Sequence, residues 1–116
     1  MNRTIALTLT LCSALLVVPV ALATERAEYG WEMIEQGAMV VDVRTPGEFD
    51  DGHLSGAVNY PVTELDRHIQ NLNKDTPLVL YCRSGVRSGA AYQYLLSKGF
   101  TNLHNAGGFE EMKNAK

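Results

Sequence analysis

The residues best suited to chemistry lie in one heptapeptide, Cys82-Arg83-Ser84-Gly85-Val86-Arg87-Ser88. It follows an apolar run at 77–81 (PLVLY) and precedes a helical pattern that starts at Ser88 (SGAAY). This order predicts a buried strand, a tight loop and a helix, with the cysteine at the carboxyl end of the strand facing the first helical turn. Unpaired N–H groups there, with the helix dipole behind them, form a small hollow suited to an anion. Arg83 and Arg87 add positive charge, and such a field lowers a thiol pKa and favours the nucleophilic thiolate. A cysteine that merely fills a core behaves as a small hydrophobe and needs neither the glycine nor the two arginines. The constellation therefore reads as a covalent nucleophile in an anion-binding loop.

The chain around this loop has 116 residues, enough for one domain. Its start has the three parts of a secretory leader: a positive Met1-Asn2-Arg3, an apolar stretch at 5–18 and a small-x-small end, Ala21-Leu22-Ala23. The reading is a signal peptide at 1–23 and a domain at 24–116, with export to a periplasm and no stable membrane insertion after cleavage. An uncharged run at 4–24 is also long enough for a membrane anchor, but Pro19 and the lack of a basic flank favour cleavage. The remaining 93 residues carry nine basic and thirteen acidic side chains, a formal charge of −4. A mildly acidic domain without a basic run gives no footing for nucleic acid. Cys12 leaves with the leader, so Cys82 is the one cysteine of the mature chain and signals a free reactive thiol. One cysteine and three scattered histidines show no metal-ligand spacing, and no cofactor is implied.

Strand and helix patterns alternate along the domain. A short helix is expected at 27–36, weakened by Gly30, with Trp31 as a packing residue. The run at 38–44 suits a strand buried on both faces, with Asp42 and Arg44 at its carboxyl end, the edge where open α/β sheets carry their sites. Thr45-Pro46 opens a helical turn that contains Glu48 and Phe49. A glycine-punctuated loop at 52–57 leads to a short strand at 58–60; His53 there reads as a residue that holds the loop by hydrogen bonds. A helix is expected at 63–72, with His68 on its solvated side, then the strand before Cys82 and a helix at 88–98. A last strand at 100–105, a turn at 106–108 and a helical turn at 109–113 complete the domain. The pattern argues one α/β domain with a mainly parallel central sheet flanked by helices.

Four segments in register carry a family likeness: VDVRTPGEF at 41–49, GHLSGAVNYP at 52–61, CRSGVRS at 82–88 and NAGGFEEM at 105–112. Together they resemble a single-domain rhodanese, a thiosulfate sulfurtransferase of the small exported bacterial type. The resemblance implies that Cys82 attacks the outer sulfur of thiosulfate and keeps it as a persulfide. A thiol or cyanide then accepts the sulfur in a ping-pong course. It implies a substrate cradle of Arg83, Ser84, Gly85, Val86, Arg87 and Ser88, with Arg87 first and Arg83 second for the anionic donor. A basic residue after the cysteine, here Arg83, leans toward thiosulfate rather than mercaptopyruvate. Asp42 and Arg44 match a supporting pair beneath the loop, Glu48 is expected to pair with Arg44, and Asn105 to Gly108 would wall the site. A monomer suffices for this chemistry.

Three other readings share the cysteine. Rhodanese-like phosphatases and arsenate reductases close a similar loop with an arginine, but with five residues between cysteine and arginine. Here only Arg83, Ser84, Gly85 and Val86 intervene, which suits one sulfur atom better than a phosphoryl group. A persulfide carrier without fast turnover of small donors would need the same cradle. A thiol redox sensor lacks a resolving cysteine.

Overall fold

The computed structural model describes residues 23–116; the leader expected at 1–23 lies outside the described residues except for its last position. The elements are α1 (Glu25–Glu35), β1 (Met39–Asp42), α2 (Pro46–Asp51), β2 (Val58–Asn59), a 3₁₀ turn (Val62–Glu64), α3 (Leu65–Ile69), β3 (Leu78–Cys82), α4 (Val86–Ser97), β4 (Leu103–Gly108) and α5 (Phe109–Asn114). All strand pairings are parallel, in the order β2-β1-β3-β4. None of the described helices is long and apolar enough to cross a membrane.

β3 is buried at every position, because its side chains alternate between two apolar layers. Leu78, Leu80 and Cys82 face a layer with Leu65, Ile69, Ala91 and Leu95 from α3 and α4. Val79 and Tyr81 face the other layer, with Ala27, Ala106 and Met112. The chain leaves β1 toward β2 on one side, then returns past β1 to β3 on the other. The carboxyl ends of β1 and β3 therefore flank the point where the strand order reverses, the usual place for a site in an open α/β sheet. Asp42 ends β1 and Cys82 ends β3.

Several boundaries differ from the sequence expectation. The helix expected at 63–72 is a 3₁₀ turn followed by the short α3, and it closes where the Leu72 N–H donates to the Ile69 carbonyl, three residues back. Tightening to that spacing ends an α-helix. The last strand runs on through the residues expected as a turn. A bulge opposite Leu80 and Tyr81 absorbs one residue, so Gly107 and Gly108 pair with Tyr81 and Cys82. Gly107 sits at φ +99°, a conformation glycine adopts without steric cost. Gly30 weakens α1 as an isolated helix but seats it on β4, since a Cβ there would lie 2.8 Å from Ala106 Cβ.

Candidate active site

Cys82 is the last residue of β3 and is fully buried. The chain turns at once: Arg83 and Ser84 are exposed, and Gly85 takes φ +99° as the residue before α4. Helix α4 starts at Val86, two residues earlier than the sequence pattern suggested, so Val86, Arg87 and Ser88 form its first turn rather than a loop. The left-handed glycine reverses the chain tightly enough for the helix to start over the sulfur. The Gly85 N–H donates to Cys82 Sγ at 3.0 Å, and the Ser88 hydroxyl lies 3.4 Å from it. Burial pushes the thiol up, but the Ser88 hydroxyl and the backbone amides of Ser88, Ser84 and Gly85 outweigh it. The net effect holds Cys82 below the usual thiol value.

Asn105 locks this cradle from β4. Its Nδ2 donates to the Gly85 carbonyl at 3.0 Å, while its Oδ1 accepts from the Ser88 hydroxyl at 2.7 Å and from the Gly107 N–H at 3.1 Å. Gly108 passes so close to the loop that a Cβ would lie 2.3 Å from the Arg83 carbonyl oxygen. The 105–108 segment is thus the wall the sequence suggested, although it is strand rather than turn.

The arginines are arranged differently from the expectation. Arg87 is held by Glu48 through two contacts of 2.6 and 2.9 Å, which tie α4 to α2 and pull the Glu48 carboxyl down to about 2. Glu48 therefore does not pair with Arg44, and Arg87 is already matched by a carboxylate instead of standing free for a donor. The reason is local. The Thr45–Glu48 capping box fixes Glu48 on the first turn of α2, while Arg44 folds back onto Asp42 two residues away. Arg44 makes contacts of 2.7 to 3.0 Å with Asp42 and donates to the Gly52 carbonyl at 2.6 Å. Its guanidinium lies 4.7 Å from the centre of the Phe109 ring. The pair is buried, and Arg44 holds the Gly52 carbonyl and the Phe109 ring. Arg83 is exposed and, with Arg44, Glu48, Asp51, Phe109 and Glu110, lines a cleft of about 260 Å³. His53 holds its loop: Nδ1 lies 2.8 Å from the Phe49 carbonyl and the ring stacks on Phe49. His68, expected on the solvated side of its helix, is instead half-buried against the Tyr60 ring.

Two residues at the site were not singled out from the sequence, although Glu111 lies within the 105–112 segment. Arg26 of α1 donates to the Ser84 carbonyl at 3.1 Å, and Glu111 of α5 grips it through contacts of 2.7 and 2.8 Å. Neither lies near the cysteine in sequence, and only the packing of α1 and α5 on one face brings them to the loop.

Residues 26–115 match the family model for the rhodanese-like domain. The chain belongs to the rhodanese family. Its relatives include the thiosulfate sulfurtransferase GlpE of Pseudomonas fluorescens, 43% identical over 77 residues that cover 66% of this chain and 71% of that protein. The thiosulfate sulfurtransferase PspE of Escherichia coli is 34% identical over 74 residues, 62% of this chain and 71% of its own. The chain also covers 60% of the length of an uncharacterized Bacillus subtilis protein, YqhL, at 43% identity over 64% of its own. Among solved structures, a rhodanese with anions from E. coli superposes with a TM-score of 0.61 at 32% identity, covering 65% of this chain and 91% of that one. A human single-domain sulfurtransferase gives a TM-score of 0.68 at 28% identity, covering 77% and 92%. The rhodanese fold thus agrees with the α/β architecture and with the resemblance drawn from four segments. Among the described residues, no group of three or more His, Cys, Asp or Glu is placed to hold a metal ion.

Proposed function

We propose that this rhodanese domain is a thiosulfate sulfurtransferase that works through a persulfide on Cys82. The observation that carries the reading is the cradle at Sγ: amide and hydroxyl donors converge on one buried sulfur at the head of a helix. The thiolate attacks the outer sulfur of thiosulfate. A new S–S bond forms, the bond to the sulfonate sulfur breaks, and its electron pair leaves with sulfite. Cyanide or a thiolate then attacks the outer sulfur of the persulfide, and its S–S pair returns to Cys82. Loading moves negative charge from Sγ to the outer sulfur of the persulfide and unloading returns it to Sγ, so the charge stays in a cradle where Arg26 and Arg87 attract it and the loop amides accept it without reorganising. Sγ is covered, so a donor enters by displacement of the exposed Arg83-Ser84 segment, and the Arg83 cation meets it.

Arg87 bound by Glu48 counts against phosphoryl chemistry, which would need that arginine turned onto the anion. The names of the relatives support thiosulfate as donor. The leader pattern at 1–23 supports release into the periplasm, and a domain of this size needs no partner for the chemistry, which favours a monomer; both rest on sequence alone. Steady-state formation of thiocyanate from thiosulfate and cyanide tests the proposal. Parallel double-reciprocal lines are expected; intersecting lines would contradict the persulfide course, and an absence of thiocyanate would contradict turnover of small donors.

A further inference from the structure

A trans peptide joins Ser84 to Gly85, so its C=O and N–H point in opposite directions. The N–H end donates to Cys82 Sγ at 3.0 Å, and the C=O end accepts from Arg26 Nη2 at 3.1 Å. The guanidinium lies close over the turn: a Cβ on Gly85 would sit 2.9 Å from both Nη1 and Nη2. Glu111 holds the other edge of the guanidinium bidentately and also accepts from the Thr24 hydroxyl and from the Gly108 N–H at 3.1 Å. α1 reaches this position because Gly30, one turn after Arg26, seats the helix on Ala106.

We propose that Arg26 is a positioning residue for the reacting sulfur, acting through a single peptide unit whose carbonyl it binds and whose N–H points at Cys82 Sγ. This rests on the sulfur-transfer reading and deepens it. A cation at the carbonyl end polarises the amide and strengthens the hydrogen bond at its other end, as chained hydrogen bonds do. The contact also fixes the plane of the peptide, so the N–H keeps its aim when Sγ gains charge or a second sulfur. Glu111 keeps the guanidinium in that pose, and its bidentate grip gives Arg26 a fixed direction that a lysine could only partly copy. Arg26 touches neither the sulfur nor a donor; beyond the attraction of its charge at a distance, its effect passes through the Ser84–Gly85 amide.

The test is the pH dependence of Cys82 alkylation by iodoacetamide in the full domain, for the native protein, Arg26→Gln and Arg26→Lys, with urea unfolding in parallel. The side chain lies outside both core layers and is 44% exposed, so both variants are expected to fold. For Arg26→Gln the alkylation midpoint should move to higher pH, and the rate below the midpoint should fall about three- to tenfold. Arg26→Lys should recover part of that loss, because its ammonium still reaches the Ser84 carbonyl. Arg26→Gln with the native alkylation profile and only a lower unfolding midpoint would overturn the proposal, leaving Arg26 as a clamp between α1 and α5. Alkylation requires no sulfur donor. A native protein that shows the expected profile yet takes no sulfur from thiosulfate would refute the functional reading and leave the role of Arg26 standing.

Discussion

Cys82 Sγ sits between two opposed effects: burial disfavours its charge, while the Ser88 hydroxyl and three amides favour it. Ser88 has one hydroxyl proton and two acceptors near it, Asn105 Oδ1 at 2.7 Å and Sγ at 3.4 Å. While the sulfur is a thiol, the Ser88 hydroxyl donates to Asn105 Oδ1; once the sulfur is charged, a short rotation aims the proton at Sγ. Hydrogen bonds to charged groups contribute about 1.5–3 kcal/mol, and one pKa unit corresponds to about 1.4 kcal/mol. Ser88→Ala should therefore raise the alkylation midpoint of Cys82 by about one unit and slow sulfur loading at neutral pH. Asn105 Oδ1 keeps the Gly107 N–H as a partner, so the fold should persist. A pH titration of alkylation rates checks this, and an unchanged midpoint would mean that the amides alone set the thiol. The cysteine and its loop were legible in the sequence because strand, glycine and helix are neighbours along the chain. The partners of the arginines were not, because Glu48 and Glu111 reach them across the fold.

Between elements, the closest approach at the site is that of β4 to the loop after β3. An added methyl at Gly108 would meet the Arg83 carbonyl oxygen at 2.3 Å, and a backbone atom there has no rotamer by which to retreat. Gly108→Ala should destabilise the domain by about 1–3 kcal/mol, the usual cost of overpacking, and should slow sulfur loading on Cys82 by shifting the loop. Urea midpoints and loading rates measured together test this; native values for both would show that β4 and the loop are not coupled. The buried strands were legible from their continuous apolar runs, since β3 faces a core layer on either side. The end of β4 was not. Asn-Ala-Gly-Gly has the composition of a turn, and it becomes strand only because parallel pairing with β3 and the Gly107 bulge give its backbone partners. Gly30 likewise counts against a helix until the contact with Ala106 supplies its reason.

Two ion pairs brace the whole molecule on opposite flanks of the cysteine loop, Glu48 with Arg87 from α2 to α4 and Glu111 with Arg26 from α5 to α1. Arg87 and Arg26 respectively lower these carboxyls from 4.5 to about 2. A carboxylate with a folded-state value below its unfolded one contributes fully above the unfolded value, and its contribution is lost as pH falls toward the folded one. Stability should therefore decline between pH 4.5 and about 2, and the decline should be shallower in Glu48→Gln combined with Glu111→Gln. Urea unfolding across that range measures it, and equal slopes for both proteins would contradict the account. Both pairs are partly exposed, so the effect should be modest and should shrink with added salt.

Sulfur transfer by this domain depends on one covalent event at Cys82, and the intact mass of the protein after thiosulfate treatment reads that event directly, with Cys82→Ser run in parallel. A gain of one sulfur atom on the native protein alone, removed by cyanide as thiocyanate appears, is the predicted result. A native protein whose Cys82 alkylates freely but gains no mass from thiosulfate would contradict it.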